Sequence, residues 1–382
     1  MKKRIEFFRH NICEKDIDSL KKVLNSTFLT TGPKVAEFEQ RFASYMKSPQ
    51  AVGLTSCTGA LHLSLLHCGV GKGDEVITTP MTFVATATAI LESGAKPVFT
   101  DVSLSSGLLT PDAVERSITK KTKAILPVHL YGRMVDMRGM HKVAAKRNLA
   151  IIEDAAHCIE GMRGGVRPGQ LSAAACFSFY PTKSLTCGEG GALICSSLDA
   201  GWYRSARHHG ITKDAASRYT KKYKHWDMRM MGWKYNMSDV QAALLVNQVN
   251  RLDEFRKKRQ GLEMLYRRLL GDIEGLDFME LPGPDEVSGH HLFTVLVPKR
   301  IKRDLVIEKM QENGVGVAVN YTPVHSLTYF RRIFGYKPQD FPAAFEIGNR
   351  TVSLPLYPKL KEGQVHKVCY YLKKILTQAA KK

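Results

Sequence analysis

Residues 177–191 read FSFYPTKSLTCGEGG. An apolar, strand-like run ends near Ser178, a single lysine, Lys183, follows in a loop, and a glycine cluster leads into a second apolar run, GALIC at 191–195. Most lysines of a chain face water, so Lys183 has three readings: a solvated charge, a phosphate binder or a nucleophile. A lysine reacts as a nucleophile only when part of it is neutral, which requires burial or charged neighbours. The glycines after it would let backbone approach a planar ligand closely.

Moving outward, short apolar runs recur between helix-like segments: AVGLT at 51–55, EVITT at 75–79, PVFTD at 97–101, AILPVHL at 124–130, LAIIED at 149–154 and ACFSF at 175–179, with GALIC as the seventh. Such continuous hydrophobicity suits strands buried on both faces, and the intervening segments are long enough for helical crossovers. The pattern predicts an α/β domain with a mostly parallel sheet. Ligands of such sheets gather outside the carboxyl ends of the strands. Ser56 and Thr58, Asp154 and His157, and Ser178 with Lys183 all follow a strand-like run.

From residue 238 the sequence SDVQAALLVNQVNRLDEFRKKRQGLEMLYRRLL is amphipathic, without proline, and reads as one long helix or two abutting ones. HHLFTVLVP, a helical IKRDLVIEKMQENG and VGVAVNY then suggest a small α+β domain. The expected division is 1–250 for a large α/β domain with its N-terminal segment and 251–382 for the small one. RYTKKYKHW at 218–226, the densest basic stretch, is expected to be a loop.

The 382-residue chain is long enough for both, and its formal charge of +20 suits an anionic partner: nucleic acid, an acidic surface or a phosphorylated small molecule. Eight cysteines lie scattered with no CxxC pair, which points to reduced, mostly buried thiols and away from a disulfide framework or a zinc site. The start, MKKRIEFFRHNICEKDID, turns acidic before any sustained apolar core, and no apolar run approaches the roughly 18 residues of a membrane span. A soluble cytoplasmic protein with no metal and no membrane insertion is expected.

TSCTGALHLSL at 55–65 runs from strand to helix, with Ser56 and Thr58 placed to cap it; the free backbone N–H groups there suit either an ordinary capped helix or a phosphate. IIEDAAHC at 151–158 ends a strand with two acids. Glu153 or Asp154 there is a helix cap, a metal ligand or the partner of a buried cation, such as the protonated ring nitrogen of a pyridinium electron sink; no second His and carboxylate group at ligand spacing accompanies them, which disfavours the metal. His157 follows three residues later, as a structural histidine or a site residue.

A phosphate cup, an acid, and a lysine 29 residues after that acid stand in the order found in fold-type I pyridoxal phosphate enzymes. The wording SCTGALHLSLLHCGVGKGDEVITTPMTFVATATAILESGAKPVFTDV, VHLYGRMVDM, IIEDAAHCIEG, FSFYPTKSLTCGEGGALI and GWKYNMSDVQAALLVNQVNRL resembles the DegT/DnrJ/EryC1/StrS family of sugar aminotransferases across nearly the whole chain. The resemblance implies a large domain with a central, mostly parallel sheet flanked by helices and a smaller C-terminal domain. It implies that Lys183 carries pyridoxal 5'-phosphate as a Schiff base, with pyridoxamine 5'-phosphate as the intermediate form, and moves the proton between substrate and cofactor. Asp154 would pair with the pyridine nitrogen and Phe83 would stack on the ring. Cys57, Thr58 and Ser178 would hold the phosphate, His157 would sit beside the ring hydroxyl, and Asn236 would reach the cofactor of the neighbouring subunit in a homodimer.

On the substrate side the resemblance points to L-glutamate as amino donor and a nucleotide-diphosphate ketosugar as acceptor, with a lean to a 4-keto sugar. Tyr321 and His325 of VNYTPVHSLTYF match the sugar-side loop, and Arg9 the N-terminal segment, although His10 stands where a proline is usual. SCT replaces the usual SGT. Two other functions compete: a dehydratase of the same family, which replaces the lysine with histidine, and a basic nucleic-acid-binding protein, supported only by RYTKKYKHW.

Overall fold

All seven apolar runs become strands of one sheet in the computed structural model, which describes residues 4–212 and 225–380. The strands are β1 (Gln50–Leu54), β2 (Glu75–Thr78), β3 (Lys96–Phe99), β4 (Thr122–Leu126) and β5 (Ala150–Asp154), then, after the two-residue β6 (Met162–Arg163), β7 (Ala174–Ser178) and β8 (Gly191–Cys195). Their order is β1-β8-β7-β5-β4-β2-β3. Neighbours pair in parallel from β3 to β7, and β8 alone runs against both of its neighbours.

Burial on both faces explains the unbroken apolar runs. On β7, Ala175 and Phe177 pack with Phe38 and Phe42 of the Pro33–Met46 helix, while Cys176 joins the core containing Leu61 of the Cys57–His67 helix. Alternate residues therefore serve opposite layers, and a polar residue on either face would meet a core. Phe42 meets Phe177 and Phe179 edge to face at 5.1 and 5.7 Å, a favoured aromatic geometry.

The amphipathic run after residue 238 resolves into two abutting helices, Asp239–Leu245 and Leu252–Leu270, with a single tight turn at Val249–Arg251. Ser238 caps the first: its hydroxyl accepts the Gln241 N–H while the Gln241 side chain returns to the Ser238 N–H. The C-terminal part contributes β9 (Asp277–Phe278), β10 (Glu286–Val287), β11 (Phe293–Leu296) and β12 (Thr351–Leu354). β9, β11 and β12 form an antiparallel sheet, whereas β10 pairs with β6. A core around Tyr266, Phe293, Val352 and Leu372 underlies that sheet, and Ile5 joins it by exchanging backbone hydrogen bonds with Gly314 and Gly316.

VGVAVNY forms no strand; it makes single bridges, Val315 to Ile5 and Ala318 to Ser353. Residues 218–224 of RYTKKYKHW lie outside the described residues. All eight cysteines are free thiols, six of them buried. Among the described residues no helix is long and apolar enough to cross a membrane.

Candidate active site

Because β1, β5 and β7 run the same way, their carboxyl ends converge at one edge of the sheet, where β8 begins. Leu54 pairs with Gly191 and Ser178 with Gly191, so the ends of β1 and β7 flank the start of β8 directly. A cavity of about 520 Å³ opens there, lined by Ser56, Cys57, Thr58, Phe83, Asp154, His157, Ser178, Lys183 and Tyr321 among others. That size suits a small cofactor with part of a substrate.

The Cys57–His67 helix starts at this cavity. The Ser56 hydroxyl accepts the Gly59 N–H at 3.0 Å, so the segment is a capped helix, and Ser56, Cys57 and Thr58 at its start line the cavity. Gly191 lacks a side chain for a specific reason. A Cβ there would collide with the carbonyl group of Ser56 and the nitrogen of Cys57, so β8 runs against the start of this helix. This is a contact of backbone with backbone, where a close approach of backbone to ligand was expected.

Asp154 is buried, and its carboxylate accepts the Thr86 hydroxyl at 2.8 Å and the Ala156 N–H at 3.1 Å; Thr82 lies 2.7 Å behind Thr86. Its Oδ1 is 4.0 Å from the Cys57 thiol, whose pKa burial pushes well up, so Cys57 stands as a neutral thiol beside the acid. Two hydrogen bonds aim the carboxylate without saturating it. The acid retains lone pairs for a protonated ring nitrogen.

Lys183 enters from the connection between β7 and β8, where its N–H donates to the Tyr180 carbonyl at 2.9 Å. Its side chain is half-buried and lines the cavity, and its ammonium makes no hydrogen bond among the described residues. Burial drives its pKa from the usual 10.5 down to about 8, against the pull of the Asp154 carboxylate and Cys57. A pKa of about 8 leaves roughly one lysine in ten neutral at pH 7, against fewer than about one in a thousand for an ordinary lysine. Its half-buried place on the cavity wall sets Lys183 apart from a fully solvated lysine.

His157 is buried on the same wall, with its pKa held well below normal by burial and by the charges of Lys183 and His291. Phe83 is 57% exposed toward the cavity mouth, and its ring stands 5.9 Å from that of Tyr321. The Ser178 hydroxyl accepts the Tyr180 N–H at 3.4 Å, and its hydrogen remains available to a ligand. These donors, the acid and the unpaired amine fit pyridoxal phosphate: amides and hydroxyls for its phosphate, Asp154 for its nitrogen, Lys183 for its aldehyde.

Three candidates lie elsewhere. Arg9 is exposed and paired with Glu6 at 2.5 Å. His325 is fully buried beneath the C-terminal part, its Nε2 2.8 Å from the Pro338 carbonyl and its ring against Phe341; packing demand placed it there, and it does not reach the cavity. Asn236 is also outside the lining, donating to the Thr31 hydroxyl at 2.7 Å, while its buried Oδ1 makes no hydrogen bond among the described residues. Conversely, Thr86, His291 and Asn320 belong to the site and were not singled out in the sequence, because HHLFTVLVP reads simply as an apolar run.

The family model of the DegT/DnrJ/EryC1/StrS aminotransferases matches residues 10–373. The spore coat polysaccharide biosynthesis protein SpsC of Bacillus subtilis is 36% identical over 374 residues, 96% of each chain. Among solved structures, the PMP form of the putative sugar aminotransferase Spr1654 from Streptococcus pneumoniae superposes with a TM-score of 0.92 at 28% identity, covering 98% of this chain and all of that one. Its PLP form superposes with a TM-score of 0.91. Helicobacter pylori PseC, an aminotransferase involved in the biosynthesis of pseudoaminic acid, gives 0.91 at 25% identity, with 98% and 100% coverage. Sequence, fold and the lysine and acid at the strand ends agree: the chain belongs to the DegT/DnrJ/EryC1/StrS aminotransferase family.

Proposed function

We propose that the protein moves an amino group from L-glutamate to the keto group of a nucleotide-linked deoxysugar, a 4-keto sugar in the first instance, in amino-sugar or cell-surface polysaccharide biosynthesis in the cytoplasm. The cofactor is pyridoxal 5'-phosphate, cycling through pyridoxamine 5'-phosphate. When bound, it supplies an electron sink for the carbon that loses its proton. The observation that carries the reading is Lys183, brought to a pKa of about 8 in a cavity that also holds Asp154.

Each residue's part follows from its surroundings. Lys183, partly neutral, serves as the covalent anchor and then as the base and acid that move one proton at its Nζ. Asp154, fixed by Thr86 and the Ala156 amide, holds the ring nitrogen in its protonated state. The amides of Cys57 and Thr58 with the Ser178 hydroxyl bind phosphate, and Phe83 with Tyr321 covers the ring and excludes water. Asn236, whose Oδ1 has no hydrogen-bond partner among the described residues, is assigned to the cofactor of a second subunit in a homodimer.

The test is optical. Purified protein with cofactor should be yellow, borohydride should bleach the band by reducing the Schiff base and leave the cofactor covalently fixed to Lys183, and Lys183→Ala should abolish that attachment. L-Glutamate should convert the band to the pyridoxamine form, and one member of a panel of nucleotide 4-keto sugars should restore it. A colourless protein, or a band changed by a sugar nucleotide but not by glutamate, would refute the reading.

A further inference from the structure

His157 and His291 stand ring to ring in the cavity wall, with centroids 4.4 Å apart, in opposite hydrogen-bonding states. Both nitrogens of His157 are engaged. Its Nδ1 accepts the Tyr131 backbone N–H at 3.4 Å, and its Nε2 faces the Tyr321 hydroxyl at 3.0 Å. A neutral imidazole that accepts at Nδ1 carries its proton on Nε2, so His157 donates to Tyr321. Its hydrogen-bonding capacity is consumed inside the protein.

His291 is only 5% exposed, yet neither of its ring nitrogens has a hydrogen-bond partner among the described residues. Neither is sealed away from the cavity it lines. A ring nitrogen open to the cavity and unpaired within the protein is free to meet a ligand there. Its mounting is rigid. The His291 N–H donates to the Tyr131 carbonyl at 3.1 Å, and the Arg259 guanidinium grips the preceding carbonyls of Gly289 and His290 at 2.8 and 3.0 Å.

The charge state of His291 selects the ligand class. Burial, with the positive charges of Lys183 and Arg259, keeps its pKa well below normal, so the ring is neutral at pH 7. A neutral imidazole offers one N–H and one lone pair, which complements a hydroxyl; a carboxylate offers acceptors only. The same cavity is lined by Tyr321 and by Asn320, whose Oδ1 is buried without a partner among the described residues.

We propose that His291 contacts the sugar acceptor directly, reading one of its hydroxyl groups and discriminating it from the amino donor. The inference rests on the aminotransferase reading and names a specificity residue within that site. The test uses the pyridoxal phosphate-loaded wild type with His291→Phe, which keeps a ring against His157, and His291→Asn, which keeps a donor and an acceptor and serves if the Phe variant does not fold. Three quantities are read: the visible absorbance maximum, the rate at which glutamate converts the band, and the Kd of a nucleotide sugar whose keto group is reduced to a hydroxyl.

The expected result is an unchanged maximum, an unchanged glutamate step, and a Kd about tenfold weaker in His291→Phe, the equivalent of one lost hydrogen bond, partly recovered in His291→Asn. A shifted maximum would make His291 a cofactor contact, and a slowed glutamate step with unaltered Kd a donor contact. Either overturns the proposal, as does wild-type behaviour in both variants. Wild-type enzyme that neither responds to glutamate nor binds any nucleotide sugar would instead bring down the aminotransferase reading.

Discussion

Arg259 Nη2 lies 2.6 Å from Glu160 Oε1, with both side chains out of solvent, and this one ion pair joins three segments of the chain. Glu160 also accepts the hydroxyl of Ser184, the neighbour of Lys183, at 3.2 Å, while Arg259 holds the turn before His291. Removing one member leaves a buried charge alone. Glu160→Met should therefore cost about 3–5 kcal/mol of stability, and the double change to Glu160→Met with Arg259→Met much less than the sum of Glu160→Met and Arg259→Met made singly. Urea denaturation of the four proteins measures both; equal, additive losses would show that the pair is not coupled.

The pKa of Lys183 sets the pH dependence of cofactor loading. The rate at which apo protein gains the yellow band should rise about tenfold per pH unit below pH 8 and level off above it. Because the Asp154 carboxylate pulls this pKa upward, Asp154→Asn should move the midpoint to lower pH. Stopped-flow absorbance between pH 6 and 10 would still be rising at its upper limit, with no plateau above pH 8, if the lysine kept its ordinary value of 10.5.

The same shift carries a cost in the apo protein. Both folded and unfolded chains hold the proton below about pH 8, and the folded state then bears the full penalty of a buried ammonium. Between about 8 and 10.5 the unfolded chain binds more protons, so stability rises with pH. Lys183→Met should stabilise apo protein by up to about 3 kcal/mol at pH 7, with the gain vanishing above about pH 10.5. Thermal melts of both proteins across that range would reveal a constant difference if the charge were irrelevant.

Two glycines should respond oppositely to alanine. At Gly191 the new Cβ meets the backbone of Ser56 and Cys57, which cannot yield without disturbing the helix start that lines the cavity. Gly191→Ala should lose about 1–3 kcal/mol and bind cofactor more weakly, seen in melts and in titration of the band. Gly261, inside the Leu252–Leu270 helix, has nothing within 4 Å of a Cβ, and Gly261→Ala should gain about 0.5–1 kcal/mol.

The seven strands were legible because each is apolar on both faces, as β7 shows with Phe177 turned to one core and Cys176 to the other. Lys183, Asp154 and Ser178 were legible for a related reason: polar residues at the ends of such strands have few places to go but a ligand. The reversal of β8 was not, since an apolar run has no direction. His291 was hidden in HHLFTVLVP because its place in the cavity depends on Arg259, Glu160 and Tyr131, each distant in the chain. Arg9 and His325 show the converse, in that a matching sequence position does not tell whether a side chain faces a cavity or a neighbour.

The antiparallel β8 has one more consequence. The segment carrying Lys183 leaves the sheet at Ser178 and re-enters it at Gly191, two residues paired with each other, and Phe179 takes the Gly190 carbonyl just inside that pair. The lysine thus rides on a closed clasp fastened at both ends to the same rung of the sheet. Change at cavity residues carried by other segments, such as His291, Asn320 and Tyr321, can therefore reshape the site without disturbing the clasp that holds the lysine.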